Sequence, residues 1–347
     1  MRGRVAPVAL VASALLVPLV AIPLAPAQFA LADGPHGTQI AWTQVVDRRF
    51  STARIVVGHP DGSGVHAVSF PGHGDFDNDA VVSPDGRWVL FERDNASGAQ
   101  DIVAAADGSG EHVLDLGCVD PCALDSAPSW SPGGRRVVFT RIVGPFDQLN
   151  GSAASAVLWS ARLDGSDLRR LSEPGIDGAY EDYRARFAPG GYVIFLRTRN
   201  SDGHMAVFRM GPDGTQVRQL TPWELDADIE DVSPATFGPT KDLVVFETNG
   251  HGHGVMQDIA TVPATCAPLA DCVSRVRLLT DNGTGPQASF NPSWSPDGQQ
   301  VAFTAFDPGP PFVGDIWRMR ADGTDAMRVS PSPHFDFRPD WGVAPSE

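Results

Sequence analysis

The stretch Asn291–Phe306, "NPSWSPDGQQVAFTAF", carries the signal of a β-hairpin. A Pro-Asp-Gly turn separates a short segment that ends at Trp294 from an alternating segment, Val301–Phe303. Asp-Gly between two β-patterned segments indicates a tight turn between paired strands, because Gly accepts a positive φ at no steric cost. The stretch therefore predicts two antiparallel strands near the end of the chain.

The same hairpin recurs along the chain at intervals of about 50 residues, the spacing of a repeat architecture. Related copies are "AVVSPDGRWVLFER" from Ala80, "PSWSPGGRRVVFTR" from Pro128 and "ARFAPGGYVIFLR" from Ala185, with a degenerate copy, "ATFGPTKDLVVFE", from Ala235. A second hairpin on another Asp-Gly follows most copies, as in "DIWRMRADGTDAMRVS". Two hairpins per repeat make a four-stranded antiparallel sheet, which is one blade of a β-propeller.

The two ends of the chain predict how the ring closes. "GTQIAWT", from Gly37, is a second strand with no first strand before it. "FRPDWG", Phe337–Gly342, is a first strand with no second strand after it. We therefore expect an all-β, six-bladed propeller of four-stranded antiparallel blades, in which the C-terminal strand completes blade one. Closure of this kind removes exposed sheet edges.

The repeated motif P-x-W-S-P-D-G-x-x-[VI]-x-F resembles the repeat of the TolB-type (PD40, WD40-like) β-propellers. The resemblance extends over nearly the whole chain after the apolar N-terminus and implies the propeller fold. Proteins named TolB carry an additional α/β domain before the propeller, for which we expect no room in this chain. The resemblance therefore implies a fold and does not imply a role in a Tol envelope system.

The N-terminus has the pattern of a secretory signal peptide. Arg2 and Arg4 precede an uncharged apolar run that is followed by "APA" and "ALA" triplets, so we expect cleavage after Ala27 or Ala32. The alternative is an uncleaved membrane anchor, since the run approaches the length of a membrane span. We predict a signal peptide at 1–32, a propeller at 33–347, and secretion or a periplasmic or cell-envelope location, with no transmembrane segment after cleavage.

Charge and cysteine content narrow the class of protein. The formal net charge of −16 argues against nucleic acid as a partner, because such binding depends on Lys and Arg that neutralise phosphates. Export permits disulfides. The four cysteines form two close pairs, for which we predict the bonds Cys118–Cys122 and Cys266–Cys272. A zinc site is the alternative, but it would need all four thiolates to converge, and the blade arrangement places the pairs on different faces.

Acidic residues concentrate between the blades, on the face of a propeller that surrounds one mouth of its central channel. We call this the loop face, formed by segments 70–80, 115–126, 173–183, 221–232, 281–291 and 331–338. Negative potential should concentrate over blades two to five, in "GDFDNDA", "YEDY" and "ELDADIED". The alternative is that these acids are simply solvated surface residues.

An Asp five residues before the last residue of the first strand recurs in several units. In units two to four an Arg near the end of the second strand should face it, which predicts the cross-strand ion pairs Asp77–Arg93, Asp125–Arg141 and Asp182–Arg197. Asp231 stands near the position of this recurring Asp. Neither Asp231 nor Asp336 has an Arg at the facing position of the second strand. The candidate ligand-binding residues are therefore Asp231, Asp336, Asp226, Asp228, His251 and His253.

Two further patterns suggest binding chemistry. The aromatic residue that ends each first strand could stack on a sugar, but its repetition favours packing between blades; the set is Trp130, Trp294, Trp341, Phe187 and Phe237. The alternating acids Asp75, Asp77 and Asp79 predict a calcium site, since Ca²⁺ takes several oxygen ligands. Ala80 and Gly86 stand where an EF-hand loop needs Gly and Glu, so that motif is excluded. No other cofactor is expected.

Enzymatic motifs are missing from the sequence, which contains no G-x-S-x-G, no H-E-x-x-H and no P-loop. We therefore expect a non-catalytic binding or scaffold propeller that recognises a protein, a peptide or an envelope glycan. The alternative is a metal-assisted lyase or hydrolase on the acidic loop face, using His73, His251 and His253.

Overall fold

The computed structural model describes residues 37–96, 98–144, 155–173, 178–233, 238–249, 257–282, 288–307, 313–330 and 333–346. These residues contain one short α-helix, α1 (Leu269–Ser274), and a single turn of 3-10 helix at Trp223–Leu225. All other regular structure in the described residues is β-strand, which confirms the all-β prediction.

The described strands follow one another with short connections. In chain order they are β1 Thr38–Val45, β2 Ala53–Gly58, β3 His66–Ala67, β4 Phe76–Val82, β5 Trp88–Asn95, β6 Gly98–Ala105, β7 His112–Val113, β8 Cys122–Trp130, β9 Arg136–Val143, β10 Ser155–Arg162, β11 Arg169–Arg170, β12 Tyr180–Phe187, β13 Val193–Arg199, β14 Met205–Met210, β15 Arg218–Gln219, β16 Ala227–Val232, β17 Leu243–Thr248, β18 Asp258–Pro263, β19 Arg277–Leu278, β20 Ala288–Trp294, β21 Gln300–Asp307, β22 Val313–Arg320, β23 Met327–Arg328 and β24 Phe335–Val343.

Four sheets in the described residues each contain four consecutive antiparallel strands: β8–β11, β12–β15, β16–β19 and β20–β23. The other eight strands form one sheet, in the order β24-β1-β2-β4-β5-β6-β7 with β3 paired to β2. A single parallel pair, Ala53 with Phe76, joins β2 to β4. Divided at that pair, the sheet gives two further units with the strand order of a blade, and the predicted count of six blades rests on this division.

The C-terminal strand closes the ring as predicted. Strand β24 pairs antiparallel with β1 from Thr38–Val343 to Val45–Phe335. The indole N–H of Trp341 also donates to Thr38 Oγ1 at 3.2 Å. The last strand of the chain therefore lies beside the first one described, and β1 is paired along both edges, by β24 and β2.

Each innermost strand bends at a β-bulge, where its register against the second strand shifts. Five bulges place a non-glycine residue at a left-handed φ of 48° to 53°: Asp79, Ala127, Arg184, Asn291 and Arg338. In four of these the backbone N–H donates to the preceding sheet, in the bonds Ala127–Glu92, Arg184–Thr140, Asn291–Glu247 and Arg338–Thr304. The bulge is thus a repeated tie between neighbouring sheets.

The repeated aromatic residues form the core between sheets. Phe91, Phe139, Phe195 and Phe246 on the second strands have no exposed surface. At the ends of the first strands, Trp130, Trp294 and Trp341 are at most 6% exposed. Packing between blades is therefore confirmed for the three tryptophans, and their rings are not available to stack on a sugar.

The register predicted for the degenerate repeat is wrong. Ser233 N–H donates to the carbonyl of Leu243, the bond that Ser83 makes to Trp88 and Ser295 makes to Gln300. The hairpin therefore opens at Ser233, and Val232 occupies the position assigned to Phe237, which lies outside the described residues. An insertion in the turn displaced the apparent motif.

Candidate functional site

The three predicted cross-strand ion pairs are present at the loop face. Asp77 lies 2.6 Å from Arg93, Asp125 lies 2.7 Å from Arg141, and Asp182 lies 2.6 Å from Arg197. Each guanidinium also lies over the phenylalanine ring of its own second strand, 5.4 to 5.7 Å from the centroid. Burial raises the pKa of all three aspartates, against the lowering effect of their arginines. These pairs are repeated structural ties.

The two aspartates predicted to lack an arginine at this position differ from each other. Asp336 is fully buried and accepts a hydrogen bond from the Gln44 amide at 3.1 Å. Asp231 precedes Val232 as Asp340 precedes Trp341, so it is equivalent to Asp340 and not to Asp77. It accepts the N–H of Trp294 in the neighbouring sheet at 2.8 Å, and burial raises its pKa to about 6.

Charged side chains from the bulges cross the centre of the ring. Arg338 lies 2.8 Å from Asp79, and Arg184 lies 3.9 Å from both Asp79 and Asp228. Two residues after the bulge of β12, Arg186 lies 3.3 Å from Asp340. These contacts join sheets that are far apart in sequence, and we call the six residues the channel network.

A cavity of about 360 Å³ opens at the opposite mouth of the channel, where the Pro-Asp-Gly and related turns lie. Prolines of four turns line it, together with Arg186, Asp231 and Asp340; the prolines are Pro84, Pro132, Pro189 and Pro296. The sequence analysis did not single out this cavity or the arginines of the channel network. A usable signal was the residue one place before the residue that ends the first-strand motif, since five of these residues line the cavity: Val81, Ser129, Arg186, Asp231 and Asp340.

The structure gives each acid of the predicted calcium triad a separate partner. Asp75 accepts the N–H of Gly72 at 3.0 Å, Asp77 binds Arg93, and Asp79 binds Arg338. Among the described residues, one group of three possible ligands lies within 4.8 Å, and it consists of Cys118, Cys122 and Asp125. Its cysteines form a disulfide. Calcium binding stays a prediction. It would require these three carboxylates to give up their present partners.

The remaining candidates are dispersed. Asp226 ends the 3-10 turn in a left-handed conformation and accepts the N–H of Met205 at 3.0 Å. His73 is exposed in the connection before β4. His251 and His253 lie outside the described residues. The structure therefore brings Asp228, Asp231 and their arginines to the channel, and it does not gather the candidates into one site.

Both predicted disulfides are confirmed. Cys118 and Cys122 are joined across 5.3 Å between Cα atoms, and Cys266 and Cys272 across 5.2 Å. The second bond is fully buried and anchors α1 in place of the Asp-Gly turn of other units.

No sequence signal pointed to a pair of carboxyls in β5 and β6, of which Asp101 is buried and Glu92 is partly buried. Glu92 and Asp101 are partners in register across these strands. Burial is the main cause that raises the pKa of Glu92 to about 8, and Asp79 and Asp94 add to it. Asp101 is 4% exposed, and neither of its carboxyl oxygens has a hydrogen-bond partner among the described residues. Burial raises the pKa of Asp101 well above its usual value.

Comparison with known proteins gives the fold. No family model matches the chain, and no curated protein matches it. In solved structures it is similar to TolB of Acinetobacter baumannii, with a TM-score of 0.61 and 18% identity over 88% of this chain and 66% of that one. It is also similar to a TolB-type protein of Agrobacterium tumefaciens, with a TM-score of 0.58 and 17% identity over 89% of this chain and 99% of the other.

The same fold occurs within an enzyme. Kuenenia stuttgartiensis hydrazine synthase matches with a TM-score of 0.66 and 13% identity, over 89% of this chain and 47% of that one. No helix among the described residues is long and apolar enough to cross a membrane. At these identities the likeness shows a fold alone, and that fold is a TolB-like β-propeller.

Proposed function

We propose that this protein is an exported, non-catalytic binding propeller that recognises a protein, a peptide or an envelope glycan. The proposal rests on one observation, that the acidic side chains at the central channel already have partners within the protein. Asp79 and Asp340 face guanidinium groups, and Asp231 accepts a backbone N–H of the next sheet. A metal-assisted lyase or hydrolase would need several ligand atoms that converge and leave one position open. The ion pairs instead favour a rigid frame around a binding surface.

Export is supported by two features of the chain. The N-terminal pattern is that of a signal peptide, and both disulfides have the local pairing that an oxidising compartment permits. The similarity to TolB structures supports a protein partner in the envelope, while a role in a Tol system does not form part of the proposal.

Photo-crosslinking tests where a partner docks. A photoreactive phenylalanine analogue at Asp94, on the loop face, should give a discrete adduct in envelope extract. The same analogue at Asp107, in an outer turn on the opposite face, is the matched control and should give none. Adducts of equal yield from both positions would contradict docking on the loop face.

Metal analysis of the purified protein separates the two functions. A binding propeller should contain no transition metal in stoichiometric amount. One transition metal per chain, together with cleavage of a polysaccharide or peptide that is lost on chelation, would replace the proposal with the metal-assisted lyase or hydrolase.

A further inference from the structure

Six phenylalanines form a continuous chain of ring contacts on the loop face, and we call them the Phe chain. Ring centroids lie 5.3 Å apart for Phe50 and Phe335, 5.6 Å for Phe335 and Phe337, and 6.2 Å for Phe337 and Phe76. A branch leads from Phe335 through Phe306 to Phe290, with centroid distances of 6.1 and 6.4 Å. The rings come from the starts of β4, β20 and β24, the end of β21 and the loop between β1 and β2.

The Phe chain differs from the aromatic core. Five of its members are partly exposed, and Phe50 is 48% exposed, whereas the repeated phenylalanines of the second strands are fully buried. Phe335 and Phe76 hold one repeat position in two units, and Phe337 and Phe290 hold another, so the rings line up across neighbouring units. A contiguous apolar patch on a soluble protein marks an interaction site more often than scattered exposed residues do.

One end of the Phe chain opens into a cavity of about 390 Å³ beside Phe50 and Phe335. Its other apolar lining residues are Val45, Val46, Val313 and Pro333, and its polar lining residues are Asp47, Arg48 and His334. A cavity of this size accepts a bulky apolar side chain. The exposed Arg48 and Arg49 repel a cation from this end.

The other end of the Phe chain is acidic. Asp75 precedes Phe76 in sequence, and Asp94 is the partner of Phe76 across β4 and β5. Asp94 is exposed. Opposite charges at the two ends give the patch a direction.

We propose that the Phe chain binds an extended segment of a partner protein, with a bulky apolar side chain in the cavity and a Lys or Arg beside Asp75 and Asp94. This inference rests on the proposed binding function and specifies its ligand. The three ring-to-ring steps from Phe50 to Phe76 span the length of about five residues in extended conformation. Apolar contact supplies most of the affinity, and the charges fix the direction in which the segment lies.

Selection from a random heptapeptide library displayed on phage, with the exported protein immobilised, tests this. Enriched sequences should carry an aromatic or large aliphatic residue and a Lys or Arg three to five positions away. For a synthetic peptide of the enriched sequence, Phe50→Ala and Phe335→Ala should each raise Kd about tenfold or more, the effect of losing an interface anchor. Asp94→Asn should raise Kd about threefold, and more at low salt than at high salt.

Phe70→Ala is the matched control, since Phe70 is 68% exposed, lies beside Gly108 in the turn between β6 and β7, and is not a member of the Phe chain. It should leave Kd unchanged. Circular dichroism of Phe335→Ala separates lost binding from lost folding, and Phe50→Ala changes a side chain that is already half exposed. Enriched peptides without the apolar and basic pattern, or a failure to enrich any peptide, would overturn the inference.

Peptide binding that both Phe50→Ala and Phe335→Ala retain would overturn the inference but leave the proposed binding function standing, with its site elsewhere. A transition metal with chelator-sensitive activity would instead overturn the proposed function.

Discussion

The loop face has two halves, in which different side-chain contacts join the first strand of a sheet to its second strand. In the sheets β4–β7, β8–β11 and β12–β15, an Asp at the start of the first strand binds an Arg that lies over a buried phenylalanine. In the other half, Asp336 uses the neutral Gln44, and the position in β16 is Ala227 opposite Thr248. We call these the ion-pair half and the variable half.

The difference separates structure from function. A contact that appears three times in equivalent positions is part of the fold, because every blade must attach its first strand to its second. Most of the Phe chain lies in the variable half, in β20, β21, β24 and the β1–β2 loop. Where the repeated contact is replaced, the chain is free to present side chains that serve a partner.

The largest effect should come from removing the strand that closes the variable half. Deletion of residues 335–347 removes β24, leaves β1 with an unpaired edge and exposes the core beneath Trp341. We expect insoluble or molten protein, seen as loss of a cooperative thermal transition and of soluble yield. Deletion of residues 345–347, which lie beyond β24, is the control and should melt like the parent. A cooperative transition that survives loss of β24 would contradict ring closure.

The same isosteric substitution at one register position in each half tests the comparison directly. Asp125→Asn leaves Arg141, whose side chain is 7% exposed, without its counter-charge, and breaking a buried pair in this way costs about 3 to 5 kcal/mol. Asp336→Asn exchanges a carboxylate for an amide at the hydrogen bond from the neutral Gln44, a bond worth about 1 kcal/mol, and we expect a smaller loss than for Asp125→Asn.

Urea unfolding of both variants gives the free energies. Equal losses would show that the arginine contributes nothing specific and that the two halves are equivalent. A larger loss for Asp336→Asn would reverse the roles assigned to them.

Sequence reasoning reached the parts of this molecule that are local or periodic. The hairpins, the disulfides and the three ion pairs all join residues of one unit, so spacing and turn chemistry identify them. In the channel network Arg186 binds Asp340, 154 residues away, and Arg338 also donates to Asn78, 260 residues away; only the closed ring brings these residues together. The bulge positions, which include Asp79, Arg184 and Arg338, share no residue type that a sequence pattern could detect. In the degenerate repeat, Phe237 matches the aromatic position of the sequence motif, but Val232 ends the first strand and, as a valine, does not stand out in the sequence.

The smallest effect concerns the buried carboxyls of the ion-pair half. The folded-state pKa of Glu92, about 8, lies above its ordinary value, so the folded protein holds a proton that the unfolded chain releases. Stability is therefore greatest at the acid end of the interval between about 4.5 and 8, and it falls as pH rises through that interval. Glu92→Gln keeps an acceptor for the Ala127 N–H and removes the titration, so the urea midpoint should fall less between pH 5 and pH 8 than in the parent.

Asp242→Asn, at an acid that lies outside this cluster and faces Tyr192, is the matched control and should keep the parental slope. Asp101 titrates beside Glu92 and should retain part of the pH dependence in the Glu92→Gln variant, because its own pKa is also raised by burial. A double substitution, Glu92→Gln with Asp101→Asn, should then flatten the profile further. If the parent, the single variant and the double variant show the same dependence of urea midpoint on pH, these two carboxyls are ionised in the folded protein, and burial in the ion-pair half holds a proton on neither of them.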